Sequence, residues 1–305
     1  MARKLKTIPQ PAPTGSYAEA LERLEAWQAQ EPADVNPNAP MHWMVHGERR
    51  ENAIVLLHGL TATPYQFYPL GEAYYQRGYN VFILRFPAHA LQYRMTSELA
   101  SLTAEQLVET LYRALDIAHG LGEKVSVAGL SMGGVVTSWA AQFRPDVEKA
   151  MIISPALAVQ AVPLRLTPLA SQGVLLLPNF YKWWDPVRKA DPAPPWNNYP
   201  RLSTHALAQV MRLGLLVQAE AKRTPPVARQ VIMVTNSCDT SVDNRAADEL
   251  VRRWQIAGAQ NVQTYCFGLN HQLDHDLISV DHPMQNIELV HPVLVDLICN
   301  SNHPQ

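Results

Sequence analysis

The sequence predicts an α/β protein, with a mostly parallel central sheet flanked by helices and an inserted helical cap. Three observations support this prediction. Apolar runs typical of buried strands alternate with segments of helical periodicity up to residue 154, and the alternation resumes after residue 229. Residues 155–229, which lie between these parts, lose the pattern and contain eleven of the 24 prolines. A glycine-rich turn joins one of the strands directly to its helix.

Length and composition exclude several classes of protein. A chain of 305 residues with 47% hydrophobic residues can bury a large core, and a net charge of −2 gives no indication of nucleic acid or an anionic membrane as partner. Three cysteines without C-x-x-C spacing argue against a disulfide framework or a zinc site. The basic first 15 residues lack the apolar core of a secretory signal, and no apolar stretch approaches 18 residues. We therefore expect a cytoplasmic protein without a transmembrane segment.

Residues 1–40 form an N-terminal extension. Residues 1–15 are rich in proline and lysine, which is typical of a loose or surface-bound tail. Residues 16–30 place Ala20, Leu21, Leu24 and Trp27 on one helical stripe, which predicts a helix that docks on the rest of the protein. The chemistry of these residues assigns no further role to the extension.

The predicted core comprises residues 41–154 and 230–305. Residues 41–46 and 53–57 are predicted strands, residues 63–77 a helix and residues 79–84 the next strand. This strand, helix, strand order is the unit of a parallel sheet. Residues 103–119 then predict a helix, and the pattern continues to a strand at residues 149–154. After residue 229 the alternation ends with a closing helix at residues 284–299.

The turn at residues 129–133 is the most informative motif. It has the form G-x-S-x-G, with a buried strand at residues 125–128 before it and helical periodicity after it. This is the context of a nucleophile elbow, where a sharp turn lifts one serine hydroxyl above the carboxyl edge of a sheet. Glycine is expected on both sides because the turn leaves no room for side chains. We predict Ser131 as a nucleophile.

Residues 155–229 predict a mostly helical cap inserted into the core. A loop of this length without secondary structure would be unusual in a compact domain. Its later part has a helical stripe, and it is rich in large apolar side chains, namely Leu175, Leu176, Leu177, Trp183, Trp184 and Trp196. Most of these side chains are needed to pack the cap on the sheet, and some are expected to line an apolar pocket.

A serine nucleophile needs a base and a group that orients the base. In chains with a nucleophile elbow, the acid and then the histidine come after the serine in the sequence, each in a loop that follows a strand. Asp239 follows the strand at residues 231–235 and is the predicted acid. Asp243 is the alternative, although its place at the start of a helix favours a capping role.

Two histidines follow the last predicted strand at residues 261–267. His271 comes first, and His275 lies four residues later. The prediction favours His271 as the base, with His275 as the alternative. His58, in the loop after the strand at residues 53–57, is expected to shape that loop.

The negative charge that develops on the substrate oxygen needs two backbone N–H donors. One is expected from Met132, the residue after the nucleophile, and the other from the loop after the strand at residues 53–57. Leu60 is the best candidate in that loop. We therefore predict an oxyanion hole formed by the N–H groups of Leu60 and Met132.

Together these motifs resemble α/β-hydrolases of the carboxylesterase and monoacylglycerol-lipase type. The resemblance covers about residues 41–300 and depends on LLHGL (56–60), GLSMGG (129–134), NSCDTSV (236–242) and NHQLDHD (270–276). It implies the α/β-hydrolase fold. In that family the acid precedes a valine by three positions, as Asp239 precedes Val242, and the histidine precedes an aspartate by five, as His271 precedes Asp276. The chain departs from the family at residues 87–90, Pro-Ala-His-Ala, where relatives usually have Pro-Gly-His-Gly.

The resemblance implies a serine carboxylesterase that hydrolyses an apolar short- to medium-chain acyl ester or a monoacylglycerol through an acyl-enzyme. The alternatives are hydrolysis of a thioester, an amide or a carbon–carbon bond on the same fold, or a non-catalytic binding protein. Asp274, His275 and Asp276 have no second cluster of ligands to complete a metal site. No metal or organic cofactor is expected, and the expected partner is a small-molecule ester.

Overall fold

The computed structural model describes residues 4–184, 187 and 197–300. Its strands are His42–Met44 (β1), Arg50–Leu57 (β2), Asn80–Ile83 (β3), Gly122–Leu130 (β4), Val147–Ile153 (β5), Tyr181–Trp183 (β6), Arg201–Ser203 (β7), Gln230–Asn236 (β8) and Val262–Phe267 (β9). Its α-helices are Tyr17–Gln28 (α1), Tyr68–Gln76 (α2), Ala104–Leu121 (α3), Met132–Phe143 (α4), Thr167–Val174 (α5), Thr204–Glu220 (α6), Asn244–Ile256 (α7) and Ile287–Cys299 (α8).

Seven strands form the central sheet in the order β1-β3-β2-β4-β5-β8-β9. Only β1 is antiparallel to its neighbour, and the other pairs are parallel. This confirms the predicted α/β class and the mostly parallel sheet. Because parallel strands end at the same edge, the loops after β2, β4, β8 and β9 lie along one side of the sheet.

Both faces of the sheet are covered, which explains why its strands are apolar without alternation. Along β2, Val55 packs into one core with α3, α4 and α7, whereas its neighbours Ile54 and Leu56 pack into the other core with α2 and α8. Trp139 and Trp254 are the largest side chains of the first core and are almost fully buried.

The chain leaves the sheet between β5 and β8. This segment forms α5, the antiparallel pair β6–β7 and α6. Helix α6 packs against α4, and a Cβ added at Gly214 of α6 would lie 3.5 Å from Val135 of α4. The apolar pattern of the segment predicts helices but not the β6–β7 pair. Residues 185–186 and 188–196 of this segment, including Trp196, lie outside the described residues.

The N-terminal extension lies along α3. Ala20 and Leu24 of α1 are fully buried, and α1 packs on α3. Thr14 Oγ1 donates to the carbonyl oxygens of Asp116 and Ile117 near the end of α3, at 3.0 and 3.1 Å. The extension is therefore attached to the core both before and along α1.

Candidate active site

Ser131 lies at the sharp turn between β4 and α4. Its φ is +58° and its ψ is −109°, a conformation that non-glycine residues rarely adopt. A Cβ atom at Gly129 would collide with the backbone of Gly133, and one at Gly133 would collide with the carbonyl oxygen of Leu57. The strand–turn–helix arrangement is thus as predicted, and both glycines are sterically required.

Backbone hydrogen bonds hold this turn, and the serine hydroxyl does not cap the helix that follows. The N–H of Ser131 donates to Ile153 O at 2.9 Å, and its carbonyl oxygen accepts from Ala156 at 3.1 Å. Its side chain makes no capping hydrogen bond to α4 and is half-buried. The hydroxyl therefore remains available for chemistry at the edge of the sheet.

Asp239 lies in a tight turn directly after β8, and its carboxylate is fully engaged. Its Oδ1 accepts from the N–H groups of Ser241 and Val242 at 2.9 and 3.0 Å, and its Oδ2 accepts from His275 Nδ1 at 2.6 Å. Burial raises the pKa of Asp239, but the bond and charge of His275 and the two N–H donors outweigh it, so the pKa is lowered overall. The alternative Asp243 instead caps α7, as expected.

The histidine that pairs with Asp239 is His275, and this corrects the prediction that favoured His271. After β9 a 3-10 turn at Leu269–His271 takes up the first residues of the loop, and Gln272, with φ +49°, reverses the chain. The ring of His271 lies 6.4 Å from that of Phe267, centroid to centroid, and does not bond to Asp239. His271, the first histidine after the strand, therefore belongs to this turn and is not the partner of Asp239.

Asn236, the last residue of β8, holds the loop so that His275 meets the acid. Its side-chain amide donates to the carbonyl oxygens of Leu273 and Asp274, both at 2.9 Å. The N–H of His275 in turn donates to Asp274 Oδ1 at 2.6 Å. These contacts fix the backbone on both sides of Asp274 and direct the next side chain toward Asp239.

The protonation of His275 follows from its partner. An ionised Asp239 only accepts hydrogen bonds, so Nδ1 of His275 has the proton and Nε2 of the neutral ring can accept one. Burial lowers the pKa of His275, but the hydrogen bond and charge of Asp239, with the charges of Asp276 and Asp274, raise it above the ordinary value. This arrangement suits a general base.

The loop after β2 approaches Ser131. A Cβ atom built on Gly59 would lie 3.8 Å from the Cβ of Ser131. Among the described residues, the N–H groups of Leu60 and Met132 donate no hydrogen bond to another protein group, although both residues are buried. Two such free donors beside the serine suit stabilisation of an oxyanion.

His58 shapes this loop, as predicted. It is fully buried, and Phe86 N donates to its Nε2 at 3.2 Å, so Nδ1 has the proton and donates to Gly59 O at 2.9 Å. Burial and the nearby His89 keep the pKa of His58 well below its ordinary value. The ring is therefore neutral and structural.

Gln66 is a residue that the sequence motifs do not reveal. It lies in the 3-10 turn Pro64–Phe67, accepts from Gly59 N at 2.9 Å and donates to Asp276 Oδ2 at 3.0 Å. It thereby connects the loop after β2 to the loop that holds His275. In the sequence, Gln66 is a polar residue within a helical pattern, and that pattern does not indicate which residues its side chain contacts.

The departure at residues 87–90 leaves two alanines in strained conformations. Ala88 and Ala90 have φ of +62° and +55°, in the left-handed region where glycine has no steric penalty. The Tyr199 hydroxyl donates to Ala88 O at 2.9 Å and accepts from Leu91 N at 3.1 Å. These bonds hold the loop in this conformation although neither position has a glycine.

Across residues 4–184, 187 and 197–300, the His, Cys, Asp and Glu side chains form no group of three or more that could ligate a metal ion. In that same part of the chain, every helix is too short or too polar to cross a bilayer.

Known proteins resemble this chain in sequence and in fold. Over 122 residues it is 29% identical to a thermostable monoacylglycerol lipase from Bacillus sp. (strain H-257), covering 40% of this chain and 48% of that protein. The chain thus matches less than half the length of the curated relatives found.

Among solved structures, the fold is similar to that of a metagenome-derived lipolytic enzyme, with a TM-score of 0.63, 19% identity and coverage of 87% of this chain and 98% of the other. It is also similar to the monoacylglycerol lipase of Paleococcus ferrophilus, with a TM-score of 0.62, 17% identity and coverage of 85% and 98%. A model of the alpha/beta hydrolase family matches residues 54–286, well over half of the sequence. The chain therefore belongs to the alpha/beta hydrolase family.

Proposed function

We propose that the protein is a serine carboxylic-ester hydrolase in which Ser131, His275 and Asp239 act as a catalytic triad. The observation that supports this most strongly is the 2.6 Å bond from His275 Nδ1 to Asp239 Oδ2, at the sheet edge that also presents the Ser131 elbow. The bond orients the imidazole and leaves Nε2 as proton acceptor.

In the proposed reaction, Ser131 Oγ attacks the ester carbonyl carbon while His275 Nε2 takes the hydroxyl proton. The carbonyl oxygen becomes an oxyanion that accepts from the N–H groups of Leu60 and Met132. The carbon–oxygen bond to the alcohol then breaks, and His275 gives its proton to the departing alcohol. Water, activated by His275, hydrolyses the acyl-enzyme and restores the serine.

We propose that residues 155–229 form a cap that selects an uncharged, apolar acyl group. Trp184 Nε1 donates to Thr61 Oγ1 at 3.0 Å and Tyr199 N donates to Thr61 O at 2.8 Å, so the cap borders the loop that holds Leu60. The side chain of Trp184 remains 52% exposed beside that loop. Apolar side chains in this position favour a short- to medium-chain acyl ester or a monoacylglycerol.

The names of the similar proteins agree with this substrate class, since two of them are monoacylglycerol lipases.

We also propose a cytoplasmic location. Cys238, Cys266 and Cys299 are all free thiols, which suits a reducing compartment.

The test is a series of p-nitrophenyl esters of increasing acyl length, hydrolysed by the wild type and by Ser131→Ala. The proposal predicts turnover in the wild type, a preferred chain length set by the cap, and loss of turnover in the variant. Ser138→Ala is a matched control, because its hydroxyl lies in α4 and donates to Gly134 O. A wild type that hydrolyses none of the esters, or a Ser131→Ala variant with full activity, would contradict the proposal.

A further inference from the structure

The segment that follows α1 returns to the loop between β3 and α3. Asn36 N donates to Ala90 O at 2.7 Å, and Gln92 N donates to Asp34 O at 2.8 Å, on either side of a β-bridge between Val35 and Leu91. The N-terminal extension therefore binds the strained loop at residues 87–90 directly. Its contacts extend beyond those of a helix docked on α3.

A buried ion pair reinforces this attachment. Glu31 Oε1 accepts from Arg85 Nε at 2.6 Å, and the two side chains are only 9% and 8% exposed. Nη1 of Arg85 donates to His89 O at 3.0 Å. Burying both charges incurs a large desolvation cost, so stability alone is a weak explanation for the pair. Arg85 instead joins the extension to the backbone of His89.

His89 and His58 together hold the backbone around Leu60. His89 Nε2 lies 2.6 Å from Leu60 O and its Nδ1 lies 2.8 Å from Pro87 O. Burial lowers the pKa of His89 to about 4, so the ring is neutral and has one proton, which we assign to Nε2 because its contact is the shorter. His58 holds Gly59 O. In a trans peptide the N–H of residue 60 points away from the carbonyl of residue 59. Both peptide groups of Leu60 are thus oriented by buried rings that lie 4.8 Å apart.

We propose that Glu31 is a positioning residue of the N-terminal extension, which acts through Arg85 and His89 to hold the Leu60 N–H where the oxyanion forms. The inference rests on the proposed function, because it assigns Leu60 as an oxyanion donor. It gives residues 31–36 a role in catalysis without contact with substrate.

The variants are Glu31→Ala, which removes the partner of Arg85, and Glu31→Gln, which retains an acceptor of the same size. Glu105→Ala is the matched control. Glu105 binds Lys6 N of the same extension and pairs with Arg212 at 2.8 Å, but it has no contact with the loop at residues 87–90. If the alanine variant does not fold, Glu31→Gln provides the test.

For Glu31→Ala we expect kcat to fall about tenfold, since a displaced donor loses part of the 10²- to 10³-fold that a deleted donor loses. KM should change by less than about twofold. An alkyl trifluoromethyl ketone, which forms a tetrahedral adduct with the serine, should bind more weakly by the same factor as kcat/KM falls. Glu31→Gln should recover part of kcat, and Glu105→Ala should match the wild type.

Hydrogen–deuterium exchange over residues 58–62 gives a readout that does not depend on turnover. The proposal predicts faster exchange there in Glu31→Ala but not in Glu105→Ala. Folded Glu31 variants with wild-type exchange, kcat and inhibitor affinity would overturn it, as would equal losses in both alanine variants. If the wild type hydrolysed no ester, the proposed function would fail, and unchanged exchange would separately refute the link from Glu31 to the loop.

Discussion

The loop that holds Asp239 and the loop that holds His275 lie side by side at the carboxyl edge of the sheet, but they are built differently. The acid loop is a short turn between β8 and α7 in which Asp239 N bonds back to Asn236 O at 3.1 Å. The histidine loop spans residues 268–286, between β9 and α8. In the short turn Asp239 lies only three residues beyond the strand, so few residues can reach the site, although Gln160 also bonds to the carbonyl oxygens of Asp239 and Ser241.

In the long loop, tertiary contacts determine which residue reaches the site. Asn236 bonds to the carbonyl oxygens of Leu273 and Asp274, and Gln66 bonds to Asp276, so residues of β8 and of the turn after β2 select His275. Position after a strand therefore identifies a functional residue only while the loop is short.

The largest expected effect distinguishes the two histidines. His275→Ala removes the proposed base and should lower kcat on a p-nitrophenyl ester on the order of 10⁶-fold, as loss of a triad histidine does in another serine hydrolase. His271→Ala should retain kcat within about threefold, because its ring lies beside that of Phe267 and His275 is the histidine that bonds to Asp239. Steady-state kinetics of both variants check this. Equal losses would show that the long loop places both rings in the site.

The second prediction concerns the acid loop. Asp239→Asn should lower kcat about 10⁴-fold, because an amide no longer favours the tautomer with the proton on Nδ1. Asp243→Ala is the control and should retain kcat while losing about 1 kcal/mol of unfolding free energy through the lost α7 cap. Chemical denaturation and kinetics measure the two effects. Inactivity of a folded Asp243→Ala variant would contradict the assignment.

The third prediction is a pH profile. The base must be neutral, so kcat/KM should fall as pH drops through the pKa of His275, which lies above its ordinary value of 6.5. Asp239→Asn removes the main attractive partner, so the acid limb of its residual activity should move to lower pH. Rate measurements between pH 5 and 9 test this. An acid limb that stays in place in the variant would indicate a different base.

A smaller effect is expected where the two loops are joined. Gln66→Ala leaves Gly59 N and Asp276 without this partner, so we expect a loss of about 1–3 kcal/mol of unfolding free energy and about a tenfold fall in kcat. Gln76→Ala is the control, since its amide donates to the exposed Glu72 on the same helix. Thermal unfolding and kinetics of both variants measure the change. Wild-type values for Gln66→Ala would show that the two loops are positioned independently.

Local sequence was sufficient for the sheet, the Ser131 elbow and Asp239, because each depends on residues within one strand and the turn after it. The histidine that bonds to Asp239 was predicted less well. The spacing from His271 to Asp276 resembles the family, yet Asp276 binds Gln66 and Ser279 in the structure. The β6–β7 pair and the contact between Glu31 and Arg85 depend on residues distant in the chain, which periodicity does not encode.

The central claim is that Ser131 is activated by His275. Its most direct test is the rate at which a fluorophosphonate labels Ser131, followed by intact-mass spectrometry of the wild type, Ser131→Ala, His271→Ala and His275→Ala. We expect one adduct at equal rates in the wild type and His271→Ala, a rate lower by several orders of magnitude in His275→Ala, and no adduct in Ser131→Ala. Rapid labelling of His275→Ala together with slow labelling of His271→Ala would contradict it.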